Sequence, residues 1–156
     1  MVVKTINDDV LKTKCAHIAF GTNTEGFNDF GFAGKIANLY WPELKYCGKQ
    51  ELGSVLSKTI GDTTYHALVC HSLNSGWQNQ REIIKNCFDK IPTNEPIATI
   101  AIGNGVVGML NGADFRQIVC GMYDSNKQII LHAPYTLDAV INCYMEETGR
   151  VLKKKL

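Results

Sequence analysis

Two glycine-rich turns limit the folds open to this chain. Gly31-Phe32-Ala33-Gly34-Lys35-Ile36-Ala37 opens an apolar segment of helical pattern. About seventy residues on, Gly103-Asn104-Gly105-Val106-Val107-Gly108 closes the strand-like run 97–102 and precedes another helical pattern. A strand–glycine turn–helix element aims several backbone N–H groups, and the positive end of a helix, at whatever lies above it. The usual occupant is a phosphate. Two such turns within 156 residues predict a ligand with two phosphates, held from opposite sides.

The rest of the chain alternates strand and helix patterns. Residues 16–20 form a short apolar strand, and 34–40 a helix stopped before Pro42, because the residue preceding proline avoids helical geometry. Residues 53–59 and 64–70 read as strands around a Gly61-Asp62 turn. Ile83, Ile84, Cys87, Phe88 and Ile91 share one face of an amphipathic helix over 79–91, ended by Pro92. Residues 97–102 have the continuous apolar character of a buried strand. Phe115, Ile118, Val119 and Met122 follow at helical spacing, with Asn111 or Asp114 available as a cap. A strand over 128–132 and a helix over 136–155, with an apolar stripe from Leu137 to Leu152, complete the chain. Lys153, Lys154 and Lys155 suit the negative end of that helix. The order predicts an α/β fold, a central sheet covered on both faces with ligands at the carboxyl ends of its strands. No repeat, low-complexity segment or linker divides it, so residues 1–156 are expected to form one domain.

A net charge of +1 provides no broad electrostatic attraction for nucleic acid or anionic membrane. Cys15, Cys47, Cys70, Cys87, Cys120 and Cys143 are evenly spread, without CxxC or zinc-like spacing, so no metal and no cofactor is expected. The start lacks the apolar core of a signal peptide, and no run approaches a membrane span. A reduced, cytoplasmic protein is expected, with no membrane partner.

Four segments, in order, resemble the macro domain, an ADP-ribose-binding module. Asp8-Asp9-Val10-Leu11 resembles its early turn, whose aspartate accepts the adenine amino group; Ala16-His17-Ile18-Ala19 resembles the strand that follows. The turn from Gly31 to Ala37 resembles the loop beside the diphosphate and distal ribose, and Gly105-Val106-Val107-Gly108 the second phosphate loop. The pattern is most similar to the branch containing terminal ADP-ribose glycohydrolase, DarG antitoxins and the yeast ADP-ribose-1''-phosphate phosphatase. It implies a three-layer α/β/α fold with a central mixed sheet, matched over about residues 2–133 and leaving the helix at 136–156 outside. Carried onto this sequence, it implies a ligand site of Asp9, Val10, Asn23, Phe32, Ala33, Gly34, Lys35, Ile36, Gly103, Asn104, Gly105, Val106, Val107 and Gly108.

Two departures bear on chemistry. Glycohydrolases of the terminal type use a lysine after the mid-chain strand and an aspartate in the second phosphate loop. Here Leu68-Val69-Cys70 runs into His71, and the loop offers Val106 and Val107. The long asparagine- and glycine-rich first loop of deacetylase-type macro domains is also missing; residues 21–30 carry Gly, Thr, Asn and acids with Phe27 and Phe30. An aromatic there suits stacking on adenine or covering a ribose, and equally suits pinning the loop to the core.

His71, at the carboxyl end of a strand, is the candidate catalytic residue, as general base for water or as donor to phosphate. The same position suits a histidine bonded only to a loop carbonyl. Asp9 likewise fits either an adenine acceptor or an Asx turn, and Trp77 either a site wall or sheet-edge packing. His132 also ends a strand. The expected partner is ADP-ribose or an ADP-ribosylated substrate, and nucleic acid only if ADP-ribosylated. Two functions fit: a hydrolase removing a group from the distal ribose, or a non-catalytic reader or sequestering protein.

Overall fold

Side chains that alternate between two apolar layers build the sheet. The computed structural model describes residues 1–103 and 112–149. Strands β1 (Val2–Ile6), β2 (His17–Asn23), β3 (Val55–Ile60), β4 (Thr63–His71), β5 (Ile97–Ile100) and β6 (Ile129–His132) form one sheet in the order β1-β6-β5-β2-β4-β3. Every neighbouring pair is parallel except β3–β4, which Gly61-Asp62 joins as an antiparallel hairpin. The sheet is therefore mixed, as expected. Parallel neighbours need crossovers, supplied among the described residues by α1 (Gly31–Leu39), α2 (Gln80–Asp89) and α3 (Ala113–Asp124), while α4 (Leu137–Thr148) follows the last strand.

Ala19, Leu68, Ile97 and Ile129 face one layer, where they pack with Ile84 and Phe88 of α2, Ile118, Val119 and Met122 of α3, and Val140 of α4. Their chain neighbours Ile18, Ala67 and Ala98, with Phe20, face the other. That layer holds Ile36 and Ala37 of α1, Val10 from the 3-10 turn Val10–Lys12, and Trp41 and Leu44 around the 3-10 turn Pro42–Leu44. Each fully buried large side chain contributes about 1.5–3 kcal/mol, so both layers hold the helices to the sheet.

The observed bounds depart from the sequence expectations in three informative places. Helix α1 begins at Gly31 rather than residue 34, so the glycine motif is the first turn of the helix. Helix α4 ends at Thr148, short of the expected 155, with Gly149 as a left-handed cap; Lys153, Lys154 and Lys155 lie outside the described residues. Strand β1, which the sequence reading did not anticipate, pairs with β6 and buries Val2. The terminal ammonium of Met1 anchors it, donating to the carbonyls of Ser125 and Lys127 at 2.6 Å each. No helix among the described residues is long and apolar enough to cross a membrane.

Candidate functional site

The parallel strands β2, β4 and β5 end on the same edge, and their carboxyl ends floor a cleft of about 600 Å³. Gly21, Thr22 and Asn23 come from β2, His71 from β4, and residues 100–103 from the end of β5. The loop between β2 and α1 supplies Phe27, Asn28 and Phe30, the first turn of α1 supplies Gly31, Phe32 and Ala33, and the β4–α2 loop supplies Leu73 and Trp77.

The β2–α1 loop is shaped by its own asparagines. Asn23 donates to the Phe27 carbonyl at 2.7 Å and accepts from the Phe27 N–H at 3.1 Å, closing a turn. Thr22 donates its hydroxyl proton to Asn28, whose amide donates to the Leu44 carbonyl, both at 2.7 Å. With the polar side chains so engaged, the loop projects its aromatics: Phe27 is 52% exposed and Phe30 76%. Phe32 instead turns inward, meeting the edge of Phe20 at 5.6 Å between ring centroids. Among the described residues no side chain caps α1, so its first turn brings an electropositive helix end to the cleft.

Across the cleft stands Gly103, at φ 78. A Cβ there would lie 2.8 Å from Ile118 Cδ1 and 2.9 Å from Trp77 Cζ2. Only glycine fits both that backbone conformation and that space. Asn104, Gly105, Val106, Val107 and Gly108, the remainder of the second glycine turn, lie outside the described residues.

His71 stacks on Trp77, with ring centroids 4.6 Å apart and planes at 20°. Burial lowers its pKa below the ordinary histidine value, against the opposing charge of Glu25. It is therefore neutral at pH 7 and able to accept a proton. Its Nδ1 lies 3.8 Å from the Cys70 Sγ; burial pushes that thiol's pKa well up, so Cys70 is an inert core residue.

The predicted site residues divide. Asn23, Phe32, Ala33, Gly103 and His71 line the cleft together. Gly34 is buried beneath it, where a Cβ would approach the Asp29 carbonyl carbon to 2.8 Å; Ile36 is in the second apolar layer, and Lys35 is exposed. Asp9 does not line the cleft; its carboxylate accepts from the Leu11 N–H at 3.0 Å, and Val10 packs in the core. His132 accompanies them, its Nδ1 3.2 Å from the Asp8 carbonyl oxygen and its buried Nε2 without a hydrogen-bond partner among the described residues.

Sequence reasoning missed Glu25. Its carboxylate accepts from the Ser72 hydroxyl and the Leu73 N–H, each at 2.8 Å, joining the loops after β2 and β4. These bonds, the one from Leu73 foremost, pull its pKa down to about 2. The two segments are far apart in sequence, and only the β2–β4 pairing brings them together. Among the described residues no group of three or more His, Cys, Asp or Glu is placed to hold a metal ion.

The six-stranded mixed sheet with helices on both faces is similar in fold to known structures. A mutant Oceanobacillus iheyensis macrodomain with ADPR matches with a TM-score of 0.61 over 93% of this chain and 90% of that one, at 15% identity. The macrodomain of Thermus aquaticus DarG matches with a TM-score of 0.58 over 84% of this chain and 97% of that one, at 10% identity. This chain has the macrodomain fold. An alphavirus P23pro-zbd structure is also similar, with a TM-score of 0.61 at 9% identity over 97% of this chain. The chain spans only 25% of that protein's length. No protein-family model matches the macrodomain-like chain, and no curated protein matches it. At these identities the likeness is one of fold.

Proposed function

We propose that the cleft binds ADP-ribose or a closely related NAD-derived nucleotide. The observation that carries this reading is the placement of the N-terminus of α1 and Gly103, the entry to the second glycine turn, around one cleft at the carboxyl ends of parallel strands. A cleft of about 600 Å³ with aromatic walls suits a nucleotide-sized ligand. Support comes also from the fold relatives, among them the Oceanobacillus iheyensis macrodomain with ADPR and the same macrodomain with ADP. In this reading residues 1–156 act as one domain, and the six free cysteines favour a reducing, cytoplasmic setting.

A second reading, hydrolysis of a group on the distal ribose of an ADP-ribose derivative or an ADP-ribosylated substrate, is favoured by His71. A neutral imidazole in the cleft wall can take a proton from an attacking water. The binding reading needs no such step, and the chain then acts as a reader or sequestering protein.

Calorimetric titration tests the proposal. ADP-ribose should bind more tightly than AMP or ribose 5-phosphate, because the two glycine turns act together only on a diphosphate. Equal affinity for AMP and ADP-ribose would remove the basis for a two-turn site.

A further inference from the structure

We propose that Glu25 is the positioning residue of the cleft: by clasping the turn after β4 it holds the His71–Trp77 stack as a fixed wall. Glu25 sits in the β2–α1 loop, and both of its carboxylate oxygens are used. Oε1 accepts from the Leu73 N–H at 2.8 Å and the Thr24 hydroxyl at 3.1 Å, and Oε2 accepts from the Ser72 hydroxyl at 2.8 Å. The Ser72 oxygen in turn accepts from the N–H groups of Asn74 and Ser75, each at 3.1 Å. Ser72 and Gly76 then close the turn through a reciprocal pair of backbone bonds, at 3.1 and 2.8 Å.

His71 precedes this turn and Trp77 follows it, so the geometry of the turn sets the ring stack. The clasp continues into the backbone, where the Thr24 N–H donates to the His71 carbonyl at 3.0 Å. Trp77 also lies close to Gly103, where a Cβ would come within 2.9 Å of its Cζ2. Two of the loops that wall the cleft, those after β2 and β4, are thereby linked through a single carboxylate. A neutral amide cannot replace it. With both Ser72 oxygen acceptor sites taken by Asn74 and Ser75, the Ser72 hydroxyl must donate, and a glutamine would turn its NH2 toward either that hydroxyl or, flipped, the donating Leu73 N–H. The bonds keep Glu25 ionised throughout the physiological range.

The test reads the wall without ligand and then with it; only the second arm rests on the ADP-ribose reading. A protonated imidazole in contact with an indole quenches its emission. In wild type, tryptophan emission should fall on acidification by a component that vanishes in His71→Ala. Glu25→Gln should abolish that component while the protein remains folded by circular dichroism, because the rings separate. Ser72→Ala, a milder change that removes one donor, should reduce it. In the second arm, both variants should weaken ADP-ribose binding, Glu25→Gln by roughly tenfold or more, as expected for losing a charge-assisted hydrogen-bonded wall. A folded Glu25→Gln or Ser72→Ala that keeps the full His71-dependent quench overturns the assignment. Should wild type fail to bind ADP-ribose, the functional reading falls and the emission arm alone decides the role of Glu25.

Discussion

His71 concentrates the question of chemistry in one side chain. It lines the cleft, stacks on Trp77 and is held neutral by burial. The cleft wall formed by the described residues contains no lysine and no carboxylate. If the chain is a hydrolase, His71→Ala should lower turnover at saturating substrate by roughly 10²–10⁴-fold, over and above the weaker ADP-ribose binding that loss of the His71–Trp77 stack brings. Single-turnover assays beside titration calorimetry separate the two effects. A variant with full activity on a substrate that wild type cleaves would exclude His71 as the base. Asp9 shows the limit of reading a residue from its motif. A carboxylate in a turn satisfies a nearby N–H whether or not a ligand is present, and here Leu11 supplies that N–H.

Among the elements, α1 does two jobs with one glycine-rich turn. Its first residues face the cleft, while Gly34, one turn in, lies against the carbonyl of Asp29. Gly34→Val should therefore destabilise the protein before it affects the ligand. Overpacking of this kind costs about 1–3 kcal/mol, a fall in Tm of roughly 2–12 °C for a chain of this size. Calorimetric melting of the ligand-free variant measures it, and an unchanged Tm would show that the backbone yields freely there.

At the opposite end of the strands, Ser57 of β3 meets His66 Nδ1 at 2.6 Å, and His66 Nε2 meets His17 Nδ1 at 2.9 Å. His17 Nε2 lies 3.2 Å from Glu95. Burial, with a smaller effect from His17, lowers the His66 pKa to about 4. The unfolded chain thus takes up this proton first as pH falls. The contribution to stability is full above pH 6.5, declines between 6.5 and 4, and is flat below. Urea midpoints measured across that range should show this slope in wild type and lose much of it in His66→Leu. An equal slope in both would place the titrating group elsewhere. The apolar runs of β4 and β5, and the amphipathic face of α2, were legible in sequence because burial on one or two faces imposes a period. Strand β1 was not, since five residues with one buried valine and an anchored terminus carry no period to read.

For the molecule as a whole, what could be read was the repertoire of parts; what could not was their adjacency. Alternating strands and helices with glycine turns imply a layered α/β fold and a site at the carboxyl edge of its sheet. The order β1-β6-β5-β2-β4-β3, which sets Glu25 beside Ser72 and Trp77 beside Gly103, arises from long-range packing. No local pattern encodes it. Residues drawn from α1, β4 and the end of β5 become one cleft only through that order. The most direct test is to map ADP-ribose onto the folded chain by amide chemical-shift perturbation. The largest shifts should fall on Gly31, Phe32, Ala33 and Gly103, with the Trp77 indole N–H moving with them. A second groove lies between α2 and α3, lined by Arg81, Lys85 and Gln117; shifts confined to it, or an absence of saturable shifts at millimolar ADP-ribose, would contradict a ligand site at the carboxyl edge of the sheet.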